Sequence, residues 1–470
     1  MRKILKESSI PIAFFLLILS LYMNQKQRNN INGLAVQAAS INFGFRVFLN
    51  FMFFMIFLVL YFALLKFAKN NVILEQYRLT TPIKFLVGVA LIAISSIPAF
   101  IFTSKFQKLS DIFYGFYSIG HQKPNFLDLR GVLSGMNSVE SIGENFIAAC
   151  PGACVEYHWN YPQFLLDLDF INVSEANTYQ FAMFFVLLYL MSLVTVLDNQ
   201  MSILFISAWT LTASSMLLFE RMNSEILVPT LVILNLYLLQ KYPKALYFLP
   251  ITILFLANLK FYPLILIPAL LIIFRRGFWW QVYNIFIFIT GLFMVYDDYI
   301  KTGIASISFG YPGTFGLKTY LGLLLGSVPS FDLQFGIPLT IFILLIVFLL
   351  QTGYKSSLVI DSKIFPDQLF YLGSTLTLAS WILSSNYQYR MATILLLIPY
   401  LAKNLTYEPK LVGAIFIGYF ISALNCALSL APMRNAFFSG ASLLLLGLFV
   451  RLTLSICIPS ITRHISRAKR

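Results

Sequence analysis

Charge is scarce in this sequence. Asp, Glu, Lys and Arg make up only 11% of the 470 residues, against 59% hydrophobic, and mean hydropathy is +0.80. A soluble domain cannot keep such a chain in water, so the bilayer is its solvent. The apolar–polar alternation of an outer-membrane barrel is missing as well, which excludes that architecture. Histidine (3) and cysteine (4) are few. No Ser, His and Asp set with a nucleophile elbow occurs, and no Gly-rich turn that would cradle phosphates, which argues against triad hydrolysis and nucleotide-driven chemistry. Internal repeats, low-complexity tracts and soluble domains are absent too.

What is present is a series of apolar runs bounded by charges, and in lipid such runs must be helices because the backbone has to satisfy itself. Spans are predicted at 8–23, 45–68, 84–103, 179–198, 201–219, 223–240, 246–258, 261–274, 279–296, 336–351, 368–385, 389–402, 411–430 and 436–458. The fold class is therefore all-α, a polytopic transmembrane bundle of about 12–14 spans. With an even number, both termini share a side with Lys66, Lys69, Arg78, Lys241, Lys244, Arg275, Arg276 and the basic tail from Arg463. The positive-inside rule makes that side cytoplasmic. Merging 246–274 into one tilted span would put Arg275, Arg276 and the tail outside. The first segment lacks a small-residue cleavage site and reads as a retained span. The formal charge of +14 resides in cytoplasmic loops and calls for anionic lipid rather than nucleic acid.

Two loops, 104–178 and 297–335, are long and fall on the outer side; long loops in a compact protein are usually functional. Most ionisable residues at helix junctions face that side too. They are Asp128 and Arg130, Glu220 and Arg221, Lys260, Asp297 and Asp298, Arg390, and Arg434, and charge at membrane depth marks function by default. Structural readings stand beside the functional ones. Arg221 and Glu225 are spaced to pair along a helix, Lys260 is long enough to snorkel, and Asp297-Asp298 reads either as a solvated helix end or as a divalent-metal pair. Arg390, preceded by two tyrosines in Asn386-Tyr387-Gln388-Tyr389-Arg390, offers a fork matched to phosphate. Cys150 and Cys154 fit a disulfide in an oxidising loop; with His158 they also make three zinc ligands, but no fourth is evident.

Asp128-Leu129-Arg130, Asn160-Tyr161-Pro162, Glu220-Arg221-Met222-Asn223, Leu259-Lys260-Phe261-Tyr262-Pro263 and Asn386-Tyr387-Gln388-Tyr389-Arg390, in this order over about 105–405, resemble the GT-C glycosyltransferases, most of all glycosyltransferase family 87. Met222 stands where that group usually carries Gly, and the long loop follows span three rather than span one. Spans one and two (1–83) then precede a GT-C-like core at 84–430, with 431–470 as last span and tail. The resemblance implies transfer of a hexose, mannose by preference, from a polyprenyl phosphate donor to a lipid or glycan acceptor on the outer face of the cytoplasmic membrane, with inversion. By the same resemblance Asp128 is the general base. Lys260 and Arg390, backed by Arg221 and Arg434, are the donor phosphate ligands. Arg130, Asn160, Tyr161, Glu220, Asn223, Tyr262, Tyr387 and Tyr389 are substrate-binding. No cofactor is required, and a divalent metal stays open. A transporter or flippase of an anionic lipid or polysaccharide would use the same cations, but should also place charges at the midplane and show repeat symmetry. A membrane polysaccharide polymerase or ligase would share the donor class.

Overall fold

The computed structural model describes residues 2–22, 43–70, 79–101, 112, 114, 126–135, 145–146, 157–158, 174–303, 314–317, 319–321, 333–383, 386–424 and 431–458. They are almost wholly helical. In chain order the helices are α1 (Arg2–Tyr22), α2 (Phe43–Asn70), α3 (Thr81–Ile101), α4 (Leu127–Gly135), α5 (Thr178–Val196), α6 (Gln200–Thr210), α7 (Ala213–Arg221), α8 (Leu227–Lys241), α9 (Phe248–Leu259), α10 (Leu266–Ile273), α11 (Phe278–Gly303), α12 (Leu333–Tyr354), α13 (Phe365–Leu383), α14 (Ile398–Asn404), α15 (Pro409–Ala423) and α16 (Ala431–Cys457). Two antiparallel strand pairs join loops: β1 (Asn145–Phe146) with β2 (Tyr157–His158), and β3 (Thr314–Phe315) with β4 (Asn386–Tyr387).

Over the described residues each predicted span falls on helical structure, but the segments differ in kind. Among the described residues five helices are long and apolar enough to cross a membrane: Phe48–Lys69, Thr81–Phe100, Thr178–Val196, Phe278–Tyr296 and Met433–Cys457. The span expected at 201–219 is not one helix. It is broken between α6 and α7, whose axes meet at 63°. Thr212 explains the break: its side chain caps α7 by accepting from Ser215 N, and its hydroxyl donates to the Trp209 carbonyl at 2.8 Å. A hydroxyl that offers the backbone an alternative partner favours a helix start over continuation. Likewise 389–402 is a 3-10 run, Gln388–Leu396, followed by the short α14 with Pro399 near its start.

The stretch 246–274 also breaks, at Lys260-Phe261, into α9 and a 3-10 turn leading to α10. A Cβ placed on Gly291 of α11 would lie 3.1 Å from Leu254 and 2.5 Å from Leu264. In an unbroken helix ten residues span about 15 Å, so the two leucines meet at one point of α11 because the chain turns sharply between them. α1 is seated in the bundle. The Phe14 ring stacks on Phe57 of α2 at 5.1 Å and meets Phe437 of α16 at 5.3 Å, while Gly418 and Gly440 open the space it fills. Tyr320, fully buried, donates to the Leu17 carbonyl and tethers the segment 314–321 to α1.

Candidate functional site

Two sharp backbone turns set up the site. Helix α7 ends at Met222, which adopts φ 47° and ψ 50°, and α4 begins just after Phe126, at φ 62°. These are the non-glycine residues at positive φ among the described ones. The left-handed region costs an L side chain about 1 kcal/mol or more, and both rings of strain adjoin the charged cluster. That is where held strain is usually found. The two turns are tied together, since Phe126 N donates to the Glu220 carbonyl at 3.3 Å. Phe126 is itself fixed by edge contacts with Phe100 and Tyr179.

This geometry brings Asp128, in the first turn of α4, against the segment after α7. Asn223 Nδ2 donates to Asp128 Oδ2 at 2.7 Å, and Arg221 Nη1 lies 3.6 Å from Asp128 Oδ1. Arg221 Nε is also 2.8 Å from Glu220 Oε2. Glu220 is 2% exposed, whereas Asp128 is 20% exposed, so of these two carboxylates Asp128 is the accessible one. Arg130, two residues on, lays its guanidinium over the Tyr179 ring at 5.7 Å.

A second group lies just beyond. Asn223 Oδ1 accepts from Glu225 N at 3.0 Å and starts the 3-10 turn Ser224–Ile226. Glu225 is 1% exposed, and each of its oxygens is engaged: Oε1 accepts from Arg390 Nε at 2.8 Å, and Oε2 accepts from the Tyr262 hydroxyl. Arg390 also covers the Tyr262 ring at 5.4 Å. Lys260, at the α9 break, is buried within electrostatic range of Glu225, Arg390 and Asp128. Burial pulls its ammonium down to about 8, with Glu225 opposing, Arg390 adding and Asp128 opposing.

The expected pairing of Arg221 with Glu225 is not what forms. Met222 turns the chain between them, so they do not sit on one helical face: Arg221 meets Glu220 and Asp128, and Glu225 takes Arg390. Glu225 is the site residue that the sequence reading left out. Its signal was a second acid in the run Glu220–Glu225, set aside as half of a local pair. Asn223 and Glu220, expected to bind substrate, are buried and hold protein groups: Asn223 meets Asp128 and Glu225 N, and Glu220 meets Arg221. Arg434 is 1% exposed in the first turn of α16; that helix meets β3, whose partner β4 immediately precedes Arg390. Asn160, Tyr161, Cys150 and Cys154 lie outside the described residues, as do the side chains of Tyr387, Tyr389, Asp297 and Asp298. Among the described residues no three His, Cys, Asp or Glu gather as metal ligands would.

Chemically, the assembly is a partly open carboxylate, Asp128, beside Arg221 and within electrostatic range of Lys260, which in turn lies near Arg390, with two buried acids fixing the two arginines. Six charged side chains, three of each sign, lie together at helix breaks of a membrane protein. No family model, characterised protein or solved structure matches the chain.

Proposed function

We propose that this protein is an integral membrane glycosyltransferase that moves a hexose, mannose by preference, from a polyprenyl phosphate donor to a lipid or glycan hydroxyl. The observation that carries the reading is the convergence of Asp128, Arg221, Lys260 and Arg390, from four separate stretches of an apolar chain, around one accessible carboxylate. The GT-C kinship, the number of spans and the outward orientation of the site belong to the same reading, on the strength of the ordered motifs and the distribution of Lys and Arg.

In the reaction the acceptor oxygen attacks the anomeric carbon as its proton passes to Asp128. The bond from that carbon to the phosphate oxygen breaks, and the phosphate leaves with the electron pair. Displacement in one step inverts the anomeric centre. The leaving monoester gains negative charge, which Lys260 and Arg390 are placed to stabilise; positioned cations of this kind act at the moment charge develops. Glu225 holds Arg390 in place and Arg221 steadies Asp128. The scheme calls for no metal.

Purified protein supplied with polyprenyl-phospho-hexoses and lipid-linked acceptors tests this directly. Asp128→Asn should lower turnover by roughly 100-fold or more, the usual contribution of a general base, with donor KM little changed. Lys260→Gln and Arg390→Gln should raise donor KM. Wild-type turnover in Asp128→Asn would remove the base from the scheme, and failure to consume any polyprenyl-phospho-hexose would dismiss the class. A chelator arm decides whether a divalent ion, at Asp297 and Asp298 or elsewhere, takes part.

A further inference from the structure

Between Glu225 and Asp297 the chain has no acidic residue, yet this stretch holds Lys241, Lys244, Arg275 and Arg276. All four are exposed. The first two lie at the end of α8 and in the 3-10 turn Pro243–Tyr247, the others between α10 and α11. Folding sets these two connections side by side: the Tyr247 ring meets Trp280 edge-on at 5.7 Å, and the Tyr283 hydroxyl donates to the Tyr247 carbonyl at 2.9 Å. Lys241 is drawn over the Tyr237 ring at 5.1 Å.

Exposed aromatic rings surround the cations. Trp279 is 79% exposed, Phe278 68%, Phe248 64% and Tyr242 62%. Rings this open, at the ends of apolar helices, belong at headgroup level, where an amphipathic side chain meets both hydrocarbon and water. The acids on neighbouring elements are engaged elsewhere. Asp367 of α13 is buried 2.8 Å from Lys403, and Asp361 accepts from the Lys363 N–H at 2.9 Å. Four cations thus gather on two adjacent connections that themselves hold no acid. An occupant must be anionic, to neutralise them, and amphipathic, to use the rings.

We propose that the paired connections 241–248 and 274–280 form a binding site for an anionic phospholipid, its phosphate between the four basic residues and its chains along Phe248 and Phe278. This differs from the diffuse attraction of any basic surface to an anionic leaflet, because it is local to these two turns. It is also independent of the transferase reading.

The purified protein, in mixed micelles carrying a fluorescent phosphatidylglycerol or phosphatidylcholine, reports the preference. Each basic residue near an anionic surface contributes roughly fivefold in affinity, so the wild type should prefer phosphatidylglycerol by at least tenfold. The combined variant Lys241→Gln, Lys244→Gln, Arg275→Gln, Arg276→Gln should lose that preference while its Tm in phosphatidylcholine stays that of the wild type. All four side chains are exposed, so the fold does not depend on them. Lys66→Gln with Lys69→Gln, on another helix end, should keep the preference. Retention by the fourfold variant, or equal loss in the Lys66 and Lys69 control, overturns the proposal. Displacement of the lipid by inorganic phosphate alone, or by an acidic peptide at matched charge, would reassign the site to a simple anion or a protein partner and overturn it as well.

Discussion

Asn223 is the uncharged amide of the cluster and joins its two halves. Its amide donates to Asp128 and its carbonyl oxygen caps the turn that places Glu225, so base and phosphate clamp are positioned by one residue. The two roles separate by substitution. Asn223→Asp keeps an acceptor for Glu225 N but sets like charge against Asp128, whereas Asn223→Ala removes both contacts. Hydrogen bonds to charged groups are worth about 1.5–3 kcal/mol, roughly 10- to 150-fold. Asn223→Asp should therefore lower turnover within that range with donor KM held, and Asn223→Ala should also raise donor KM by loosening Arg390. Equal KM in the two variants would show that the cap does not matter to the clamp. Lys260 carries a pH signature. Burial pulls its ammonium down from the usual lysine range to about 8, so the charged form that binds phosphate is present below that pH and is lost above it. Donor Kd should rise with pH above about 8, and Lys260→Arg, charged throughout, should flatten the profile. The same depression makes the buried charge a cost to folding at neutral pH. That cost fades as pH rises above about 8, because over that window the unfolded chain still holds a proton that the folded chain has released, and rising pH disfavours the state that holds it. A Kd independent of pH in the wild type would take Lys260 out of the phosphate site.

At the scale of elements, α12 and α16 meet backbone to backbone. A Cβ on Gly353 would lie 2.1 Å from the Leu444 carbonyl oxygen, and one on Gly447 would lie 2.2 Å from that of Leu350. The two glycines are reciprocal, each opposing the other helix's backbone, and neither backbone has a flexible end that can move aside. Lipid gives apolar side chains no reason to leave it, so helices in membranes associate through close packing at small residues. Gly353→Ala or Gly447→Ala must push the axes apart, at about 1–3 kcal/mol each by analogy with overpacked cores. Either should lower Tm in detergent by several degrees, while Gly277→Ala, with nothing within 4 Å of its Cβ, should leave it unchanged. A Gly353→Ala protein melting with the wild type would refute the crossing. This contact was invisible in the sequence, where Gly353 and Gly447 are two unremarked glycines in apolar runs. The runs themselves were legible because lipid allows few alternatives to a helix. The breaks were legible only where Pro or charge marked them, as at Lys260-Phe261-Tyr262-Pro263. The α6–α7 bend was not, since it depends on Thr212 choosing Trp209 and Ser215 as partners within a run of even apolarity.

For the whole molecule, the legible part of the site was its membership and the illegible part its wiring. Asp128, Arg221, Lys260 and Arg390 announce themselves because charge in a bilayer protein is costly and rare. Who pairs with whom depends on two positive-φ turns, at Phe126 and Met222, that no side-chain pattern encodes. Membership has a further consequence. The basic residues of the proposed lipid site and the charged cluster lie at opposite ends of α8, which runs from Leu227, just after Glu225, to Lys241. That helix is 15 residues long, about 22 Å at 1.5 Å per residue, short of the roughly 30 Å hydrocarbon core, so to cross it needs the preceding 3-10 turn Ser224–Ile226 and a locally thinned bilayer. If α8 crosses the bilayer, the two sites must face different compartments, and the positive-inside rule gives the basic end to the cytoplasm. In a background without cysteine, Lys244→Cys and Ala176→Cys make the distinction. Ala176 is exposed in the turn Glu175–Asn177, which packs against α4 and so marks the Asp128 end. A membrane-impermeant maleimide applied to intact cells should label Ala176→Cys and not Lys244→Cys, and inside-out vesicles should reverse the pattern. Labelling of both from one side would mean that α8 does not cross. Labelling in the opposite sense would place the cluster in the cytoplasm, where a donor presented at the outer leaflet never reaches Asp128.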